Sequence, residues 1–148
     1  YPNDVASWMI YGPFSLADAT AAEVLFSYWV YSENDYDIFM VSASIDGDNF
    51  YGPLGSGNSE GWQSGRFDLT NVYTLGNLAG RAQVWLGFYF ETDEDTNYRE
   101  GAFVDNIVLR KSATGSAGLE PGAGAMPAFG QGGGMRIRAH RGVETPDD

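Results

Sequence analysis

Apolar and polar positions alternate along much of this chain, and the period is two. In residues 23–32, Val24, Phe26, Tyr28 and Val30 fall on one side of an extended chain, and Leu25, Trp29 and Tyr31 on the other. In residues 82–92, Val84, Leu86, Phe88 and Phe90 oppose Trp85 and Tyr89. Such runs, rich in β-branched and aromatic residues and bounded by Gly, Asn, Asp and Pro, predict strands. Seven are expected: residues 7–16, 23–32, 37–46, 50–54, 61–69, 82–92 and 101–111. Asp46-Gly47-Asp48-Asn49 reads as a hairpin turn, 55–61 as a longer polar loop, and 93–97 as an acidic loop. Residues 16–24 could form a helical turn capped by Ser15, but a loop leading into a strand is the preferred reading.

Short strands at this spacing predict an all-β fold of two packed antiparallel sheets, a jelly-roll sandwich. Several strands are apolar on both sides, whereas a two-layer sandwich buries one face of each sheet. The second apolar face therefore needs a cover: a loop, the C-terminal tail, a ligand or another subunit.

The strand pattern stops near residue 112. Residues 112–134 are rich in Gly, Ala and Pro, which is linker chemistry. After them, Met135, Arg136, Ile137, Arg138 and Ala139 alternate apolar and basic again. The expected organisation is a sandwich over 1–111, a linker over 112–134 and a strand-like arm over 135–148. Such an arm can complete its own sheet or enter that of a neighbour.

Charge and composition narrow the function. The chain of 148 residues carries a net charge of −12, which disfavours nucleic acid and anionic membrane surfaces as partners. The acidity sits in the body: residues 1–111 hold 16 acids and 5 bases. The arginines of the arm, Arg136, Arg138 and Arg141, would find a favourable surface on any copy of that body. With no cysteine there is no disulfide framework, thiol chemistry or cysteine-type zinc site. No apolar run approaches the roughly 20 residues of a membrane span. The chain opens at Tyr1 without an apolar leader, as a processed mature chain or an excised fragment would.

Catalytic motifs are missing. His140 is the one histidine, and no nucleophile elbow accompanies it. Nothing marks a pair of carboxylates for glycoside hydrolysis. The expectation is a protein that is not an enzyme.

One ion is a candidate. Asp105 lies inside the apolar run Phe103-Val104-Asp105-Asn106-Ile107, and a buried carboxylate is costly unless paired, hydrogen-bonded or metal-bound. Asp37 is the second candidate ligand for a structural Ca²⁺, with Glu33 and Glu100 as partners by location. The competing expectation is that Asp105 accepts backbone N–H or arginine hydrogen bonds. Asp46-Gly47-Asp48 starts like a calcium loop but lacks its closing glutamate. For ligands or partners, Trp29, Trp62, Trp85 and Tyr89 are the aromatics to consider, at a polysaccharide or a protein interface alike.

The body has a familiar pattern. It runs through Glu23-Val24-Leu25-Phe26-Ser27-Tyr28-Trp29, Tyr36-Asp37, Val41-Ser42-Ala43-Ser44-Ile45-Asp46-Gly47 and Gly61-Trp62. It continues with Phe67-Asp68-Leu69, Val84-Trp85-Leu86-Gly87-Phe88-Tyr89-Phe90 and Gly101-Ala102-Phe103-Val104-Asp105-Asn106-Ile107. Over residues 7–111 this resembles the MAM-like and carbohydrate-module-like jelly rolls appended to secreted bacterial proteases of the immune inhibitor A and subtilisin-like types. The resemblance implies a jelly roll, an extracellular or cell-surface setting and often a structural Ca²⁺, with Asp105 a structural residue or calcium ligand. It leaves the activity open. Two functions are then expected to compete. One is a non-catalytic subunit that self-assembles with copies of itself, its arm adding a β-strand to a neighbour. The other is an accessory module that binds carbohydrate or protein for a secreted hydrolase.

Overall fold

The computed structural model describes residues 1–95, 100–113 and 134–139. All the regular structure among them is strand: β1 (Ala6–Phe14), β2 (Ala19–Tyr31), β3 (Ile38–Ser44), β4 (Asn49–Gly55), β5 (Gln63–Asp68), β6 (Val84–Glu91), β7 (Gly101–Ala113) and β8 (Gly134–Arg138). The seven strands expected in the body are present. β2 begins at Ala19, so the stretch that could have coiled is a turn followed by strand, and Ser15 Oγ accepts the Ala17 N–H at 3.2 Å.

The strands form two antiparallel sheets, ordered β1-β6-β3-β4-β8 and β5-β2-β7, and the fold is an all-β sandwich. β3 and β4 make a hairpin, while the chain steps from one sheet to the other between β1 and β2, β2 and β3, β4 and β5, β5 and β6, and β6 and β7. The period-two pattern decides what lies between the layers. Val24, Phe26, Tyr28 and Val30 of β2 face Phe39, Val41 and Ala43 of β3 and Val84, Leu86 and Phe88 of β6. Phe26 meets Phe88 edge-on at 5.1 Å. Leu16, Leu69, Val72 and Leu78, supplied by loops, close one end of this core, tied by backbone bonds such as Leu78 N–H to Leu69 O and Gly80 N–H to Leu16 O, both 2.8 Å.

The outer face of the five-stranded sheet is apolar too. Met40 and Phe50 are fully buried there, Tyr89 nearly so, with Trp8, Ile10, Leu54 and Trp85 packed around them. Phe50 reaches this position because Gly87 and Ser42 are small: a Cβ on Gly87 would sit 2.9 Å from the Phe50 ring. The ring lies 5.0 Å from that of Trp8, which lies 4.5 Å from that of Tyr89. Burying one such phenylalanine contributes about 1.5–3 kcal/mol.

β8 is the segment expected as an arm. It pairs antiparallel with β4 of its own chain, from Asn49↔Arg138 to Pro53↔Gly134, and adds Met135 and Ile137 to the outer apolar cluster. Arg136 and Arg138 alternate with them and are exposed. Ala139 N–H then bonds Asp48 O at 2.8 Å, so the β3–β4 turn fixes the end of β8. Asp46 organises that turn. Burial pushes its carboxyl up, but the Asn49 N–H and side-chain amide, the Asp48 N–H and the Ser44 hydroxyl outweigh this and hold it well below the usual carboxylate range. His140 and Arg141, and most of the expected linker, lie outside the described residues.

One glycine gives a direct test of the core. A Cβ on Gly65 of β5 would lie 2.4 Å from a ring atom of the buried Phe26. Gly65→Ala should therefore destabilise the domain by about 1–3 kcal/mol, as overpacking does. Urea unfolding checks this; an unchanged midpoint would contradict the packing.

Candidate functional site

The outer face of the three-stranded sheet carries side chains the core does not use. Its composition follows from the alternation in β2, where Leu25, Ser27, Trp29 and Tyr31 point away from the core. Cross-strand register then sets their neighbours. Trp29 stands opposite Phe103 of β7, and Ser27 opposite both Ser64 of β5 and Asp105 of β7. Trp62, just before β5, packs edge-on against Trp29 with ring centroids 6.1 Å apart. Trp29, Trp62, Phe103 and Glu100 together line a shallow concavity of about 250 Å³. Trp62 is 51% exposed and Phe103 48% exposed. Beside this aromatic row lies a polar one of Ser64, Ser27, Asp105 and Asn106. Within it Asn106 Nδ2 donates to Ser27 Oγ at 3.4 Å, and Asp105 Oδ1 accepts the Asn106 N–H at 2.7 Å.

Further along the same face, Glu23 is completely buried between two arginines. Arg66 of β5 and Arg110 of β7 both pair with its carboxylate, Arg110 Nε at 3.0 Å. Burial pushes the Glu23 carboxyl up, and the two guanidinium groups more than reverse it, so it stays ionised below its ordinary range. This clamp ties all three strands together at one end, leaving the aromatic row exposed at the other.

The four aromatics singled out in the sequence do not form one surface. Trp29 and Trp62 meet as described. Trp85 and Tyr89 lie on the outer face of the other sheet, where Tyr89 is buried in the second apolar cluster and Trp85 packs over Gly47. Phe103 was missed, because its place beside Trp29 depends on the β2–β7 register. The arm residues Met135–Ala139 lie against β4, not near this face.

The expected calcium ligands fall in three places, with only Asp37 and Glu33 side by side. Asp105 is exposed, not buried. Pairing opposite Ser27, which points away from the core, puts Asp105 on the outer face of the sheet; the β-bulge marked by the slip between Leu25 and Ser27 and by φ 50° at Asn106 comes after it. That removes the reason for expecting a cation at Asp105. Glu100 borders the aromatic concavity. Asp37 is buried, and its oxygens accept the Glu33 N–H at 2.9 Å, the Asp93 N–H at 3.3 Å and the Tyr1 hydroxyl. Among the described residues, no group of three or more His, Asp or Glu side chains is arranged to hold a metal ion. Comparison of the chain with protein-family models gave no match, and comparison with curated proteins gave none either.

Glu33 sits beside Asp37 with one carboxylate oxygen buried and without a hydrogen-bond partner. Burial, and then the charges of Asp93, Asp37 and Asp95, push its carboxyl up. In acid, folded and unfolded chains are both protonated there and the group is neutral to stability. As pH rises through the raised value, the folded state must ionise against its surroundings and stability is lost. Glu33→Gln should therefore raise the melting temperature at neutral pH, with the gain fading on acidification through the ordinary glutamate range. Thermal scans across pH check this; a loss of stability at neutral pH would show that the charge is wanted.

Proposed function

We propose that this chain is a non-catalytic binding module acting outside the cell, and that its aromatic row engages carbohydrate. The observation that carries the reading is the exposed Trp29–Trp62–Phe103 cluster with polar groups in register beside it. Flat aromatic faces stack on the C–H faces of sugar rings, and hydroxyl, amide and carboxylate groups alongside take up the sugar hydroxyls. Ser27, Ser64, Asp105, Asn106 and Glu100 supply such groups. Trp29 and Phe103 stand on paired strands and Trp62 packs edge-on against Trp29, so their spacing is set before a ligand arrives, which lowers the ordering cost of binding. The resemblance of residues 7–111 to modules of secreted proteases supports the same reading.

A second reading is self-assembly through the arm. The feature that favours it is that, among the described residues, β8 pairs only with β4, and the glycine-rich segment 114–133 joins it to β7. The same pairing made on a neighbour would exchange strands at little energetic cost, and repeated head to tail it would give open fibres.

The two readings predict different losses. Trp62→Ala should weaken retention on an insoluble polysaccharide by roughly tenfold or more, because a central aromatic at an interface carries about 2 kcal/mol or more. A pull-down across a panel of glycans measures it, with Tyr73→Ala, another exposed aromatic, as the variant that should bind normally. Retention of no glycan by the unaltered protein would refute the binding reading. For the arm, Ile137→Asp should abolish fibres in negative-stain electron microscopy while circular dichroism shows a folded body. Fibres that persist would remove the role given to β8.

A further inference from the structure

The aromatic concavity of the small sheet is accompanied by charge of one sign. Register lays this face out as two rows across three strands. Trp62, Trp29 and Phe103 form one row, and Ser64, Ser27 and Asp105 the next. Successive outward residues of a strand stand about 6.5 Å apart, so a sugar ring resting on the aromatic row brings its substituents to the polar one. Glu100 borders the aromatic row itself. Glu100 and Asp105 are both exposed, and neither belongs to an ion pair among the described residues: Arg66 and Arg110 are taken up by Glu23, and Lys111 by Asp18. The planes of Trp29 and Trp62 meet at 78°, so the two indoles make a corner rather than a flat shelf. Aromatic faces carry negative charge density and attract cations, most strongly those of tryptophan. The rings and the acids of this concavity therefore favour the same ligand charge.

We propose that the carbohydrate taken here is an amino sugar whose nitrogen is free and protonated, as in a chain of de-N-acetylated glucosamine. The inference rests on the carbohydrate reading above and adds a charge to it. A neutral sugar would strip water from two carboxylates and return no opposite charge. A uronate or a sulfated sugar would be repelled by both, and by a chain of net charge −12. A sugar ammonium answers the acids and the rings together. The sugar ring stacks on one indole face, the ammonium lies in the corner and donates to Glu100, and neighbouring hydroxyls reach Ser27, Ser64 and Asp105. An N-acetyl group on the same nitrogen removes the charge and adds bulk at the corner, so acetylated and free forms of one glycan are told apart at this point.

Short soluble oligomers of chitosan, chitin and cellulose share one backbone and differ at a single ring position, which bears an ammonium, an N-acetyl group or a hydroxyl. Titration calorimetry in mildly acidic buffer, where the sugar amine is protonated, should show the chitosan oligomer bound roughly tenfold or more tighter than the other two. Glu100→Gln should remove most of that preference. Asp48→Asn, which deletes an exposed charge in the turn between β3 and β4 of the other sheet, should keep it. Trp62→Ala should weaken all three oligomers. Choline, an ammonium without a sugar ring, should bind far more weakly than the chitosan oligomer. Equal binding of the three oligomers, all weakened by Trp62→Ala, would overturn the amine and leave the carbohydrate reading standing. Binding of none would overturn both. Chitosan binding that survives Trp62→Ala would trace to the acidic body at large and overturn the site, and choline bound as tightly as the oligomer would overturn the sugar.

Discussion

The five-stranded sheet is apolar on both faces, and the rest of the molecule is arranged around keeping water off each. The inner face is covered by the three-stranded sheet, through Phe26, Tyr28 and Phe88. Among the described residues, no second sheet covers the outer face. It is protected by its own side chains lying flat, with Phe50 over Gly87 and Ser42, then Trp8 and Tyr89 alongside. This solution requires small residues at positions that would otherwise bear strand-forming side chains. It also extends to the sheet edge, where β8 places Met135 and Ile137 against the same layer. β8 is therefore less an appendage than the margin of the outer apolar surface.

The acidity of the body has a comparably local explanation. Of four carboxylates that bear on the fold among the described residues, three are answered within the chain. Glu23 is held by Arg66 and Arg110, Asp37 by two backbone N–H groups and the Tyr1 hydroxyl, and Asp46 by the turn it organises. A carboxylate that accepts several hydrogen bonds has little need of a cation. Glu33 is the exception, crowded by acids and short of a partner for one oxygen. The burial of Asp37 and the strain at Glu33 belong to one knot, in which the first residues of the chain are strapped to the loop after β6 by bonds such as Asp4 N–H to Asp93 O at 2.9 Å.

What the sequence reveals and what it hides divide along physical lines. A period of two is written in consecutive residues, so the strands, the two-faced character of β2 and β6 and the strand nature of Met135–Ala139 could be read directly. Register is not so written. It depends on which strands pair and where they slip, and it brings Phe103 to Trp29 while sending Trp85 and Tyr89 to the other sheet. The case of Asp105 is the sharpest. The apolar run from Phe103 to Ile107 suggests a buried carboxylate, but pairing opposite Ser27 puts Asp105 on the outer face with Phe103, in solvent, while the bulge at Asn106 sends Ile107 to the inner face. An asparagine within a strand was the available signal, since asparagine tolerates the left-handed conformation that such a bulge uses.

The same bulge separates the two exposed features of the small sheet. On its N-terminal side β7 presents Phe103 to the aromatic row, and on its C-terminal side it presents Ile107, Val108 and Leu109 at the edge of the described sheet. Without the extra residue, Ile107 and Leu109 would share a face with Phe103 and Asp105, and the groove beside β1 would lose two of its walls. One irregular residue thus lets a single strand turn Phe103 outward and Ile107 and Leu109 inward.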